Sequence, residues 1–340
     1  MIKQAIATLL ETRDLLQWEA EGAMEDIVVG EATDTQIGAF LTALRMKGET
    51  VDELAAFVRV LRRHAVACRP HLAGRLVDTC GTGGDGMATF NISTTAALVA
   101  AGAGIPIVKH GNRGVSSRCG SADLLEALGV RIDLTPAEMC RVLDRCHFAF
   151  FFAPLYHPAM KRLVAPRREL GVRTVFNVLG PLLNPAGASA QLVGVYHPAL
   201  GKRIAEVLKA LGIERAMVVH GRGIDEIAVH GTTMVTELDD GKIKSYRLHP
   251  HDFGMTVSPP STLKGGDAEE NAMIVRSVLG GERGPKRDIV LLNAAAAIYL
   301  GGRCGDMKEG IDLAEESIDR GDAERVLDGL VRETGCCDVS

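Results

Sequence analysis

The chain has 340 residues, a formal net charge of −5, 46% hydrophobic and 24% charged residues, and 38 glycines against only 4% aromatics. That length allows one large domain or two of ordinary size, and the composition is that of a soluble globular protein. The negative balance offers no overall attraction for a polyanion, which argues against a nucleic-acid partner, although a local basic pocket for a small phosphate stays permitted. Cysteines stand at positions 68, 80, 119, 140, 146, 304, 336 and 337, none spaced C-x-x-C, so neither a zinc site nor a disulfide framework is expected and a reducing cytoplasm is the simplest setting. The opening MIKQAIATLLETRDLL reads as an amphipathic helix and not a signal peptide, and the most apolar stretch, 95–108, is too short to span a bilayer.

The first 70 residues read as helical throughout. Ile2, Ile6, Leu9 and Leu10 are expected on one apolar face. Thr33 with Gln36 and Thr50 with Glu53 each fit a capping box, which predicts two helix starts. From Arg75 short β-prone runs alternate with helices: RLVDT, IPIVKH, FAFFFA, AQLVGVY and RAMVVHG, separated by STTAALVAAGAG, SADLLEALG, TPAEMCRVLDRC and PALGKRIAEVLKALG. This predicts an α/β domain with a mostly parallel central sheet covered by helices. TTMVTEL and KIKSYRL, joined at Asp-Asp-Gly, predict a hairpin, and the tail returns to helices.

Residues 78–94, DTCGTGGDGMATFNIST, contain G-x-G-x-x-G. A dinucleotide-binding turn also needs a helix opening within the glycines and an acid about 20 residues on. MATFN intervenes before any helix, and after Asp85 the next carboxylate is Asp123, so that reading fails. The glycines suit an anion-binding loop, whose amides converge on phosphate oxygens with no side chains in the way. Asn91, Ser93 and Thr94 add donors at a fresh helix N-terminus, giving two anion sites on one connection. Alone, the segment reads as readily as a glycine turn before an ordinarily capped helix. KHGNRGVSSRCGSAD, residues 109–123, follows the next strand with Lys109 and Arg113 among serines and glycines, an inventory that fits pyrophosphate. Both loops are expected at the carboxyl ends of neighbouring strands, where open α/β sheets bind ligands.

These motifs, with those at 157–160, 168–185 and 225–226, resemble anthranilate phosphoribosyltransferase over the whole chain. The resemblance implies a helical domain (1–70, joined by helices from about 160–185) and an α/β catalytic domain (71–340) of the nucleoside phosphorylase type, distinct from Rossmann-like phosphoribosyltransferases. It implies a homodimer built through the helical part and phosphoribosyl transfer from phosphoribosyl pyrophosphate (PRPP) to anthranilate in tryptophan synthesis. The rivals are a paralogue acting on another acceptor, a nucleoside phosphorylase, and a non-enzymatic nucleic-acid-binding relative. PRPP is then expected at Gly81, Gly84 and Asp85, at Thr89, Asn91, Ile92, Ser93 and Thr94, and around Lys109, His110, Gly111, Asn112, Arg113, Gly114, Val115, Ser116, Ser117 and Ser121. Asp225, Glu226 and Ser93 are the expected Mg2+ ligands. Anthranilate is expected at Gly81, His110, Asn112, His157 and Arg167, with Arg168 a rival because Pro166 stands one place later than in the family. No protein nucleophile or base is expected, since positioning and charge stabilisation suffice for an aryl amine attacking an anomeric carbon.

Overall fold

The computed structural model describes residues 1–70, 72–114 and 118–335. Four helices open the chain: α1 (Ile2–Leu10), α2 (Gln17–Val29), α3 (Asp34–Lys47) and α4 (Val51–Arg63). Both expected capping boxes form. The Gln36 and Glu53 amides donate to the hydroxyls of Thr33 and Thr50, and the two side chains reach back to the capping amides. Glu53 is fully buried yet satisfied, since it also accepts from the Leu15 amide at 2.9 Å and from Lys47 at 2.9 Å. On α1 the inward face is Ile2, Ala5, Thr8 and Leu9, whereas Leu10 is 72% exposed. Leu10 follows Leu9 by about 100° of helix rotation and so turns out of the stripe.

The second part contains β1 (Val77–Gly81), α5 (Ile92–Gly102), β2 (Ile107–Gly111), α6 (Ser121–Ala127), α7 (Pro136–Cys146), β3 (Phe148–Phe152), α8 (Ala153–Tyr156), α9 (Val164–Leu170), α10 (Phe176–Leu179), β4 (Ala190–Gly194), α11 (Leu200–Ala210), β5 (Arg215–Gly221), β6 (Thr233–Asp239) and β7 (Lys242–Leu248). Four further helices close the described chain: α12 (Ala268–Leu279), α13 (Pro285–Gly301), α14 (Met307–Asp319) and α15 (Asp322–Gly335). The strands form one sheet in the order β3-β2-β1-β4-β5-β6-β7, parallel from β3 to β5 and antiparallel thereafter. The hairpin turns at Asp240 and Gly241, both with positive φ, as the Asp-Gly pair predicts.

Two apolar cores lie on opposite faces of the sheet. One packs α5, α6, α7 and α12–α15 against β1–β3, with Ala-rich α5 and α13 in close contact. The other joins α1–α4 to Leu163, Val175, Phe176, Leu179 and Leu182, then continues to α11 and the outer faces of β4 and β5. Residues 163–183 therefore belong to the helical layer although they follow three strands in the chain. The order in which strands are added reverses between β1 and β4, parallel neighbours whose terminal residues Gly81 and Gly194 pair in register. Open α/β sheets bind ligands in the crevice outside such a switch point.

Candidate active site

Asp225 and Glu226 follow β5 and pass directly over this crevice. A Cβ on Gly194 would lie 1.6 Å from the Asp225 carbonyl oxygen, and one on Gly81 would lie 2.2 Å from its Oδ2. The paired glycines are thus cleared for the acidic segment. Asp225 Oδ2 accepts from the Gly83 amide at 2.7 Å, and Glu226 Oε1 accepts from the Ser93 amide, in the first turn of α5, at 3.1 Å. The carboxylates therefore sit on the two anion-binding positions that the glycine loop and the helix N-terminus offer. Thr79, Cys80, Ser93, Leu192, Gly194, Asp225 and Glu226 enclose the small space between them.

Burial, reinforced by the Asp85 carboxylate, pushes Asp225 up to about 6. Glu226 is held well above the ordinary carboxylate value, by burial first and by Asp225 second. Lys109 is also buried; its Nζ donates to the Thr79 carbonyl and lies 3.4 Å from Ser93 Oγ. Its charge favours ionised Glu226 without cancelling the burial of the acidic group. Cys80 lines the same space, but burial pushes its thiol up to about 12, which leaves it inert as a nucleophile.

An all-oxygen donor set with uncompensated buried negative charge fits a hard divalent cation. Among the described residues no group of three His, Cys, Asp or Glu side chains is arranged to hold a metal alone. That too fits Mg2+, which commonly takes one or two carboxylates and completes its shell with water and substrate phosphates.

A second constellation lies along β2. His110 and His157 are buried with ring centroids 5.2 Å apart in an edge-to-face arrangement. Burial, followed by the His157 charge, drives His110 down to about 3. Burial likewise takes His157 down to about 4. Both rings are therefore neutral near pH 7. The 180–183 turn holds them: the Leu183 carbonyl lies 2.8 Å from His157 Nε2, and the Gly180 backbone faces His110. Nε2 of His110 has no partner among the described residues, which leaves a buried polar atom to offer a ligand. Arg167 on α9 is half-buried with its guanidinium 5.5 Å from the Phe176 ring, while Arg168 beside it is exposed.

The remaining expected site residues make contacts of their own. Arg113 is directed onto α6, where it pairs with Asp123 at 3.0 Å and with Glu126, and it stacks 5.5 Å from Phe152. Asn91 makes no side-chain cap; it bonds Cys119 and, at 2.9 Å, Asn271 of α12. Ile92 is a core residue, and Thr94 Oγ1 is buried without a partner among the described residues. Thr89 bridges to Lys264. Ser121 Oγ donates to the Asn112 carbonyl at 3.4 Å, and the Gly114 amide bonds Asp123, so Gly111, Asn112, Gly114 and Ser121 form one turn over the α6 start. Val115, Ser116 and Ser117 lie outside the described residues.

Sequence reasoning missed three buried polar residues beneath the site. Asp78 accepts from the His110 amide at 3.2 Å and from Gln191 Nε2 at 3.4 Å, and burial pushes it up to about 6. Asn184 donates to the Val108 carbonyl at 2.6 Å. These contacts tie β2 to β4 and to the 180–184 turn. Asn184 and Gln191 stood within quoted stretches, but their partners are remote in sequence and gave no local signal.

A helical bundle joined to a mostly parallel sheet, with an anion loop and an acidic pair at the switch point, defines a glycosyl-transferring enzyme class. Residues 73–324 match the glycosyl transferase family a/b domain and residues 3–65 its helical bundle domain. Anthranilate phosphoribosyltransferase of Methanocorpusculum labreanum is 56% identical, covering 98% of this chain and 98% of that protein. The Moorella thermoacetica enzyme of the same name is 52% identical, covering 97% and 98%. The crystal structure of the Thermus thermophilus enzyme superposes with a TM-score of 0.92 at 42% identity, covering 97% of this chain and 99% of that one. The Saccharomyces cerevisiae enzyme in complex with PRPP and Mg matches with a TM-score of 0.90 at 30% identity, covering 98% of each. The chain belongs to the anthranilate phosphoribosyltransferase family.

Proposed function

We propose that the chain transfers the 5-phosphoribosyl group of PRPP to the amine of anthranilate in tryptophan biosynthesis. The amine nitrogen forms a bond to the anomeric carbon, the bond from that carbon to the diphosphate oxygen breaks, and the amine gives up a proton. The observation that carries the reading is the meeting of the glycine loop, the α5 N-terminus and the Asp225–Glu226 pair over Gly81 and Gly194. The loop and helix start, whose Gly83 and Ser93 amides hold the two carboxylates, border the space for the diphosphate, and Lys109 adds a buried positive charge there. Asp225 and Glu226, with Ser93, would hold Mg2+, which neutralises diphosphate charge when bound.

On the acceptor side Arg167 meets the anthranilate carboxylate, and neutral His110 offers Nε2 as a hydrogen-bonding atom. His157 positions His110 by edge-to-face packing, and Asn112 and Gly81 lie at the junction of the two substrates. Gly84, Asp85, Thr89, Gly111 and Gly114 shape the donor loops around PRPP.

We further propose a homodimer through the helical layer, which exposes Leu10, Trp18 and Met46. Residence in the cytoplasm and indifference to nucleic acid complete the reading; no helix among the described residues is long and apolar enough to cross a membrane. The function is tested by pyrophosphate release: release must require PRPP, anthranilate and Mg2+ together. Release that proceeds without anthranilate, or only with another amine, would contradict it.

A further inference from the structure

We propose that Arg173 is a positioning residue for the phosphoribosyl donor, clamping the glycine loop from the helical side of the cleft. The inference rests on the function proposed above. Gly83 and Gly84 both carry positive φ, +63° and +76°, and both are exposed, so the 82–85 backbone has few side chains to fix it. Asp225 holds the Gly83 amide, and Arg173 adds a restraint at Gly84. Its Nη2 donates to the Gly84 carbonyl at 2.5 Å, and its guanidinium carbon lies 4.1 Å from the Tyr196 ring centroid. Tyr196 in turn donates its backbone N–H to Thr82 Oγ1 at 3.0 Å. One arginine–tyrosine pair therefore grips the loop at both Thr82 and Gly84.

The consequence for donor binding is electrostatic. In a trans peptide the N–H points opposite to the preceding carbonyl, so fixing the Gly84 oxygen also fixes the direction of the Asp85 amide. A loop of this kind attracts anions only while its amides, and not its carbonyl oxygens, face the ligand. The guanidinium claims the carbonyl that would otherwise be free to swing towards the phosphates. Arg173 also stands between α9, which carries Arg167, and α10, which carries Phe176. The clamp thus connects the acceptor-side segment to the donor loop.

The test compares Arg173→Ala and Arg173→Lys with the parent enzyme in steady state, with the melting temperature recorded for each. Losing one charge-assisted hydrogen bond predicts a KM for PRPP raised about tenfold in Arg173→Ala, with kcat and the KM for anthranilate within about twofold. Lysine keeps the charge and a donor but lacks the flat face for Tyr196, so it should recover roughly half of that loss on a logarithmic scale. An unchanged KM for PRPP in both variants overturns the proposal. So does an equal loss for both substrates accompanied by a lower melting temperature, which would mark a merely structural arginine. The double variant Asp225→Asn, Glu226→Gln is measured alongside. If it abolishes Mg-dependent PRPP binding while both Arg173 variants bind normally, only the role of Arg173 fails. If it too binds normally, the site reading fails with it.

Discussion

On the donor side of the cleft Asp225 and Glu226 are packed beside Asp85 and Lys109, and burial raises both acids towards neutrality. On the proposed acceptor side His110 and His157 are buried neutral, and Arg167 keeps one face against Phe176. In the proposed function the first region, where Lys109 offsets only part of the effect of burying two acids, receives a divalent cation together with the diphosphate. The second removes charge from its histidines, so a carboxylate can be met only by a group that cannot deprotonate. The proposed function thus has a highly charged donor and a flat aromatic acid met in one cleft by opposite treatments of buried polar groups.

The comparison breaks most visibly at the acidic pair. Asp225→Asn with Glu226→Gln should lower turnover by about 10²–10³-fold or more and abolish its Mg2+ dependence, while anthranilate affinity holds. Gly194→Ala should come close to that loss, because its Cβ would collide with the Asp225 backbone and no side-chain rotation relieves the clash. The acceptor side responds next: Arg167→Ala should raise the KM for anthranilate about 10–100-fold and leave that for PRPP nearly unchanged. Arg168→Ala, at an exposed side chain, should move neither value by more than about twofold.

Much of this was legible in the sequence because it is local. The capping boxes at Thr33 and Thr50, the strand runs, the hairpin at Asp240–Gly241 and the glycine loop all declare themselves within a few residues. What escaped depends on contacts made by distant segments. Arg173 reaches Gly84 across 89 positions, Asn91 meets Asn271 across 180, and Gly194 shows its purpose only once Asp225 lies over it. The partners of Arg113 are hidden in the same way: Asp123 and Glu126 come beside it only once α6 is in place.

Two smaller predictions concern pH. The folded-state values of His110 and His157 are depressed to about 3 and about 4, so both rings stay neutral from pH 6 to 8. Anthranilate affinity should then show no histidine inflection in that range, as read from binding titrations. The stability linked to these rings is present above the unfolded value near 6.5 and is lost as pH falls towards 4 and below. Asp78 has the opposite sign: its folded value is raised to about 6, so its contribution is greatest at low pH and is lost as pH rises through 6. Asp78→Asn should flatten the stability profile between pH 4 and 8 by about 1–3 kcal/mol, seen in urea unfolding at each pH.

The most direct measurement follows anthranilate fluorescence in a solution of the pure protein. Adding PRPP with Mg2+ should extinguish it as the amine is ribosylated, and adding either alone should leave it unchanged. Fluorescence that persists with folded protein, PRPP and Mg2+ all present would contradict the account and point to a different acceptor in the same cleft.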